Sequence, residues 1–213
     1  MFTETLENLV VLEGGDGSGT STQLKLLRRR FAETRPGFPL FVTAEPTDGV
    51  IGRLIRGALK ESPPLHPATL AALFAADRNE HLFAADGIRE RCVRGELVVC
   101  DRYVLSSLAY QGLECGDELP RRLNIGFPAP GLLLFFDLDP AAAWERMKSR
   151  ESLDVFENPD FQRRVLDRFR SLLGPLGEAG VNVKVIDASR EPEKVAEDVW
   201  SEVSKMPIFK VKP

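Results

Sequence analysis

The chain has 213 residues, of which 43% are hydrophobic and 28% charged, with a formal net charge of −4. This length and composition fit a single globular domain with a sizeable core, which we place over residues 1–213. The acidic balance argues against a nucleic-acid-binding protein, and no apolar run approaches the ~18 residues of a membrane helix.

Five short apolar runs alternate with longer helical patterns along the chain. The runs cover residues 8–13, 39–45, 96–101, 131–139 and 181–188. Continuous apolar runs of this length are typical of strands buried on both faces of a parallel sheet. The helical patterns cover residues 20–33, 66–95, 139–150, 158–174 and 191–203, with Asp139 as a helix cap and Pro140 in the first turn.

This alternation predicts an α/β fold: a three-layer, doubly wound, five-stranded parallel sheet. Ligands of such sheets bind beyond the carboxyl ends of the strands. Polar clusters occur there at residues 14–21, 45–48 and 101–103. We therefore expect the functional site at this edge of the sheet.

The first cluster resembles a phosphate-binding loop of the pattern G-x-x-x-x-G-K-[ST]. Gly14, Gly19 and Ser21 fit the pattern, but Thr20 stands where the lysine belongs. Backbone N–H groups and the following helix N-terminus would bind phosphates, and the Ser21 hydroxyl is placed for Mg²⁺. A glycine-rich turn without a ligand is the alternative. Asp16 would repel phosphates unless Mg²⁺ or an arginine screens it, so we expect it to face a hydroxyl of a second substrate.

A second cluster begins within the third apolar run, in "VVCDRYVLSSLAYQG". Asp101 at a strand end is placed to reach Mg²⁺, and Arg102 to bind a phosphate bidentately. The alternative is a surface ion pair of little energetic weight. Tyr110 and Gln111 could contact a nucleobase, although alone they would more commonly be part of the helix surface or core.

Two further stretches are ambiguous when taken alone. Phe74 and Arg78 share a helix face and suit a nucleoside monophosphate, but they equally fit a core phenylalanine and a solvated arginine. A basic segment contains Arg146, Lys148 and Arg150 and precedes a break between helical patterns. It could close over phosphates or be an ordinary charged helix end. For His66 and His81 we expect surface roles.

The cysteines predict a reducing environment. Cys92, Cys100 and Cys115 are odd in number and lack metal-site spacing. The start of the chain, "MFTETLENLV", has neither the cationic residues nor the long apolar stretch of a signal peptide. These features predict free thiols in a cytoplasmic protein.

Together, the motifs "LEGGDGSGTSTQ", "TAEPTDGVIGRLIR", "LFAADRNEHL", "DRYVLSSLAYQG" and "SRESLDVFE" resemble the thymidylate kinase family of P-loop nucleoside monophosphate kinases. The resemblance covers residue 8 to about residue 175. It implies transfer of the γ-phosphate of ATP to dTMP, giving dTDP, with Mg²⁺. It also implies a homodimer and a lid around residues 146–158. From the net charge and the lack of a long apolar run, we expect no nucleic-acid or membrane partner.

The resemblance assigns site residues by their positions in these motifs. It implies that Asp16 meets the sugar 3′-hydroxyl, that Phe74 stacks on thymine and that Arg78 contacts base or phosphate. Arg102 would bind the dTMP phosphate, and Arg150 would reach the transferring phosphoryl group. ATP would contact Gly14, Gly15, Asp16, Gly17, Ser18, Gly19, Thr20, Ser21 and Thr22. Mg²⁺ would lie at Ser21 and Asp101, and the acceptor would also contact Glu45, Pro46, Ser107, Tyr110 and Gln111.

The chain departs from the family pattern at several cationic positions, which are Thr20, Ala44, Val155 and Gly17. We expect an active kinase in which another cation replaces the loop lysine. The candidates are Arg150, Lys148, Arg146 and Lys25, of which Lys25 lies one helical turn beyond Ser21 and would point away from the loop. Two alternatives stay open: a kinase for another nucleoside or nucleoside monophosphate, and a nucleotide-binding protein with impaired catalysis.

Overall fold

The computed structural model describes residues 2–60, 65–147 and 159–209. They form one five-stranded sheet in the order β2-β3-β1-β4-β5, with every neighbouring pair parallel. The strands are β1 (Thr5–Gly14), β2 (Leu40–Ala44), β3 (Leu97–Asp101), β4 (Ala129–Asp137) and β5 (Val183–Asp187). The predicted fold class is confirmed, and each apolar run corresponds to a strand.

Helices connect the strands and cover both faces of the sheet. They are α1 (Thr20–Thr34), α2 (Val50–Ala58), α3 (Pro67–Phe83), α4 (Ile88–Val93), α5 (Val104–Cys115), α6 (Glu118–Leu123), α7 (Pro140–Met147), α8 (Pro159–Glu178) and α9 (Pro192–Val203). The cap predicted for α7 is confirmed, since the N–H of Ala141 donates to Oδ1 of Asp139 at 2.8 Å. Among the described helices, none is both long and apolar enough to cross a membrane.

The long helix predicted over residues 66–95 is wrong, because the chain forms α3 and α4 instead. Ala84 is extended, with ψ of 163°. Asp86 has a φ of 62°, a left-handed conformation that ends a right-handed helix. Gly87 is also extended and precedes the first residue of α4. The break was not predicted from the sequence, because residues that favour helices flank it on both sides.

The continuous apolar runs are explained by a core on each face of the sheet. Along β1, Leu9 and Val11 belong to one buried cluster, whereas Val10 and Leu12 belong to the other. All four side chains are inaccessible to solvent. Since successive strand residues point to opposite faces, a strand covered on both sides must be apolar at every position.

Strand register brings the polar clusters to one edge. Leu12 of β1 and Ala44 of β2 both align with Asp101 of β3. The residues that follow these three strands therefore emerge side by side. This places the loop after Gly14 next to Glu45 and Arg102, as the strand-end argument predicted.

The segment after α9 packs against α1, in the helical layer on one face of the sheet, rather than extending away from the domain. Phe209 stacks on Phe31 and Phe38, with ring centroids 5.9 and 5.1 Å apart. The guanidinium of Arg35 lies 4.6 Å from the centroid of the Phe209 ring. The last described residues thus cover the aromatic end of α1.

Candidate active site

The phosphate-binding loop joins β1 to α1. Gly17 and Gly19 have φ values of 79° and 95°, which side chains with a Cβ rarely adopt. No side chain caps the N-terminus of α1, which begins at Thr20. The N–H groups of its first turn are therefore available to an anion, and the helix dipole adds partial positive charge.

A cleft of about 520 Å³ opens over this loop. Residues 15–22 form one wall, while Arg146 and residues 188–192 contribute to the other. Gly14, also predicted to contact ATP, is not among the residues that line this cleft, and its carbonyl accepts a hydrogen bond from Nη1 of Arg102 at 3.2 Å. We name this space the donor cleft; its volume falls within the range of small-molecule sites.

Ser21 and Asp101 meet in the donor cleft. The Ser21 hydroxyl donates to Oδ2 of Asp101 at 2.8 Å. Oδ1 of Asp101 is buried and has no hydrogen-bond partner among the described residues. A buried carboxylate oxygen without a partner requires a cation or water, and hydroxyl and carboxylate oxygens suit Mg²⁺. The hydroxyl and carboxylate oxygens of this pair therefore fit Mg²⁺, the ion that the sequence predicts at this position.

Asp16 is held by three side chains from distant parts of the chain. Arg102 forms an ion pair with Oδ1. Oδ2 accepts from the Tyr110 hydroxyl at 3.0 Å and from Nε2 of Gln162 at 2.6 Å. Arg102 therefore neutralises the acid of the loop. Sequence reasoning missed Gln162, because it lies on α8, 146 residues away, and carries no local motif.

Arg102 adopts a left-handed backbone conformation, with φ of 69°. A residue with a Cβ is uncommon there, and such positions cluster at functional sites. Burial alone would lower the pKa of Arg102. Tyr110 and Asp16 raise this pKa more strongly, and the net pKa lies well above its usual value. The guanidinium therefore stays charged beside the loop.

A second, smaller cleft of about 110 Å³ adjoins the first, and we name it the acceptor cleft. Asp16 and Arg102 line both clefts. The residues predicted to bind the acceptor all line this cleft. They are Glu45, Pro46, Phe74, Arg78, Arg102, Ser107, Tyr110 and Gln111. The two spaces thus meet at one Asp–Arg ion pair.

Arg78 differs from a freely extended ligand-binding arginine. Its side chain is 1% exposed, and its Nε and Nη2 lie 2.9 and 2.7 Å from Oε2 of Glu45. Nη1 donates to the Ser107 hydroxyl at 3.1 Å and also to Asn124. These contacts fix the guanidinium as part of the wall, since a buried arginine requires paired and hydrogen-bonded surroundings.

The two histidines have different environments. His66 is exposed and caps α3, accepting from the N–H of Ala68 at 3.3 Å. The expected surface role is wrong for His81, whose side chain is only 9% exposed. Its ring nitrogens lie 3.1 Å from Oε1 of Glu45 and 2.7 Å from the hydroxyl of Thr43.

Glu13, at the end of β1, is a buried acid that sequence reasoning did not single out. Its Oε1 accepts the backbone N–H groups of Tyr103 and Ser106 at 2.9 and 3.2 Å. Oε2 accepts the Ser106 hydroxyl at 2.5 Å. The carboxyl group therefore caps the N-terminus of α5, which follows Arg102. Burial raises the pKa of Glu13 from 4.5 to about 7, against opposing contributions from Ser106 and Arg102.

This shifted pKa predicts a pH-dependent stability difference between the wild type and Glu13→Gln. Between pH 4.5 and about 7, folded Glu13 keeps a proton that the unfolded chain has released. The stabilising contribution is complete below pH 4.5 and is lost as the pH rises to 7, by at most about 1.4 kcal/mol per unit. Urea unfolding from pH 4.5 to 8 should show this slope in the wild type relative to Glu13→Gln. Exposed Glu118→Gln is the control, and parallel curves for wild type and Glu13→Gln would contradict the prediction.

The structure shows where the missing cations and their candidate replacements lie. Position 17, one of the positions that lack a cation, leaves no room for a side chain, because a Cβ there would lie 2.7 Å from the carbonyl oxygen of Ala143. Lys25 is exposed and outside the donor-cleft wall. Arg146 lines that cleft, and its Nη2 donates to the carbonyl of Ala188 at 3.0 Å. Lys148, Arg150 and the rest of the predicted lid lie outside the described residues.

Arg190 is a further cation of the donor cleft that the sequence argument missed. It forms ion pairs with Asp187 and Asp198, so part of its charge is neutralised within the protein. It follows β5, so it occupies the carboxyl edge of the sheet like the other site residues. Its position after the fifth apolar run was the feature of the sequence that could have identified Arg190 as a site residue, although Arg190 belongs to no recognised motif.

The parallel sheet, the glycine loop before α1 and the Ser–Asp pair define a P-loop nucleotide-binding protein. The acceptor cleft beside the loop narrows this to phosphotransferases that bind two substrates. The sequence model of the family described as "Thymidylate kinase" matches residues 12–199. This match covers most of the chain, and the chain belongs to the thymidylate kinase family.

Individual relatives agree with this assignment. A protein named "Putative thymidylate kinase" from Treponema pallidum is 39% identical over 197 residues, which cover 91% of this chain and 93% of that protein. A protein of the same name from Aeropyrum pernix is 39% identical over 199 residues, covering 92% and 94%. A "Thymidylate kinase" from a Synechococcus strain is 36% identical over 199 residues, covering 91% and 93%.

Proposed function

We propose that this chain transfers the γ-phosphate of ATP to dTMP, giving dTDP and ADP. The observation that carries the proposal is the junction of the donor and acceptor clefts at Asp16 and Arg102. A phosphoryl group passing from one cleft to the other must cross this junction. Membership of the thymidylate kinase family supplies the identity of the substrates.

The residues of the chain act by positioning and charge. An oxygen of the acceptor phosphate attacks the γ-phosphorus, and the bond to the β–γ bridging oxygen breaks. Arg102 binds the acceptor phosphate, while Asp16 accepts a hydrogen bond from the sugar hydroxyl. The loop N–H groups bind the ATP phosphates. Ser21 and Asp101 would hold Mg²⁺, which would neutralise charge on the phosphates when bound.

A coupled assay for ADP, with chromatographic detection of dTDP, tests the proposal. We expect dTDP from dTMP and ATP with Mg²⁺, and none without the metal. A panel of dTMP, dUMP, dCMP and thymidine separates this function from that of a kinase for another acceptor. Faster turnover of another member would move the assignment to that substrate. No dTDP from protein with a native circular dichroism spectrum would refute dTMP kinase activity.

Thr20 favours one second candidate, a nucleotide-binding protein with impaired catalysis. The loop retains its backbone geometry but lacks the point charge that a lysine supplies there. This candidate predicts that ATP and dTMP raise the melting temperature without forming dTDP. The kinase proposal predicts both the stabilisation and the product.

We expect a basic residue of the 146–150 segment to replace the loop lysine. Alanine variants of Arg150, Lys148 and Arg146 should each be assayed, and at least one should lose roughly 10²–10³-fold in kcat, the usual cost of removing a charge donor to the transition state. Lys25→Ala is the matched control, because Lys25 is exposed outside the cleft. Unchanged kcat in all three variants would contradict a replacement cation in this segment.

We also propose a homodimer, as the family resemblance implies, in the cytoplasm. Exposed apolar side chains occur at Leu54 on α2, Phe83 at the end of α3 and Ile125 after α6. These helices pack side by side, and such a surface favours association. Light scattering should give twice the 23.7 kDa mass of one chain, and Leu54→Glu should reduce the measured mass.

The proposed cytoplasmic location rests on the cysteines. All three are free thiols in the structure, which supports a reducing compartment.

A further inference from the structure

His81 bridges Thr43, in β2, and Glu45, the first residue after this strand. Thr43 and Glu45 are two positions apart, and side chains at this spacing share one face of an extended strand. Nε2 of His81 lies 2.7 Å from the Thr43 hydroxyl, and Nδ1 lies 3.1 Å from Oε1 of Glu45. Both ring nitrogens are therefore engaged on the same face.

Glu45 connects this contact to the acceptor cleft. Its side chain is 2% exposed, and its other oxygen, Oε2, faces Nε and Nη2 of Arg78 at 2.9 and 2.7 Å. Arg78 and His81 are three residues apart on α3, so they approach the carboxylate from one helix face. Each oxygen of Glu45 is thus held by a different residue of the same helix.

The contact with Glu45 requires a proton on Nδ1 of His81. A carboxylate only accepts hydrogen bonds, so Nδ1 of His81 must carry a proton to bind Glu45. In the neutral ring, Nε2 is then an acceptor, and the Thr43 hydroxyl donates to it. The opposite tautomer would direct a lone pair at the carboxylate.

We propose that His81 is a positioning residue for the acceptor cleft. Thr43 orients the His81 ring, His81 orients the carboxylate of Glu45, and Glu45 fixes the guanidinium of Arg78. Arg78 in turn contacts Ser107, and Glu45, Arg78 and Ser107 all line the acceptor cleft. The effect on substrate rests on the proposed function, whereas the hydrogen-bond arrangement does not.

Kinetics of His81→Ala test the positioning role. Loss of a hydrogen bond to a charged buried group should raise the KM for dTMP roughly ten- to hundredfold. The KM for ATP should change less than about twofold, because His81 is absent from the donor-cleft wall. His81→Asn keeps an N–H donor near the Nδ1 position and should recover most of the dTMP affinity. His66→Ala, at the exposed helix cap, should leave both KM values unchanged.

Thr43→Val serves if His81→Ala does not fold. It removes the partner of Nε2 without removing the donor to Glu45, so the KM for dTMP should rise roughly two- to tenfold, as for one lost hydrogen bond. An equal rise in both KM values, or a lower melting temperature without any change in KM, would overturn the positioning role for either variant.

A measurement without substrate separates this inference from the proposed function. The chain has two histidines, so nitrogen-15 spectra of the imidazoles can be assigned with His66→Ala. We expect His81 as the Nδ1–H tautomer in the wild type and a population of the other tautomer in Thr43→Val. A wild-type Nε2–H tautomer would overturn the inference, whereas failure to phosphorylate dTMP would refute only the proposed function.

Discussion

Arg102→Ala should reduce kcat/KM for dTMP roughly 10²–10³-fold, the usual cost of removing one preorganised charge donor from a phosphoryl-transfer or oxyanion site. The effect is expected to be large because Arg102 lines both clefts and pairs with Asp16. Without the guanidinium of Arg102, the carboxylate of Asp16 would have no paired cation and would repel the phosphates bound at the loop. Binding of the phosphates of both substrates should therefore weaken together.

Arg102→Lys separates charge from geometry. It retains a cation but cannot contact Asp16, Gly14 and a phosphate with one planar group, so an intermediate loss is expected. Arg122→Ala is the matched control, because this arginine is 72% exposed and pairs only with Glu118 one helical turn away among the described residues. Steady-state kinetics in both substrates measure the effect. Activity of Arg102→Ala within about tenfold of wild type would contradict the assigned role.

Asp101→Asn should raise the Mg²⁺ concentration needed for half-maximal activity roughly 10- to 100-fold, as for other residues that hold or orient metal ligands. Asparagine keeps the shape of the side chain and one carbonyl oxygen but removes the charge. At the Oδ2 position, the amide nitrogen would be a donor and could not accept the hydrogen bond that the Ser21 hydroxyl now donates there. Excess Mg²⁺ should therefore restore much of the activity.

Asp139→Asn is the matched control for this metal prediction. Asp139 lies at the same edge of the sheet, two residues after β4, but it is exposed and caps α7. It does not line the donor cleft. Magnesium titrations of the two variants should differ, with only Asp101→Asn shifted. An unchanged titration of Asp101→Asn would place the metal away from this carboxylate.

Local sequence determined much of the fold and of the donor cleft. Five apolar runs predicted five parallel strands, because a strand buried on both faces must be apolar at every position. The glycine spacing from Gly14 to Gly19, followed by Ser21, predicted the loop, since its backbone conformations depend on neighbouring residues. The break between α3 and α4 was missed because it depends on the left-handed backbone of Asp86 within a helix-favouring sequence.

The tertiary structure alone decided how the charged groups are paired. Gln162 reaches Asp16 across 146 residues, and Glu13 caps α5, which begins about 90 residues later. The surface role expected for His81 failed for the same reason, since its partners are Thr43 in β2 and Glu45 directly after it. Such contacts require strand order and helix packing to be set first, and no local pattern encodes them. Sequence motifs therefore pointed to the glycine loop and to the side chains of the acceptor cleft. The fold alone placed Arg190 and Gln162 beside them and decided which charged groups bind one another.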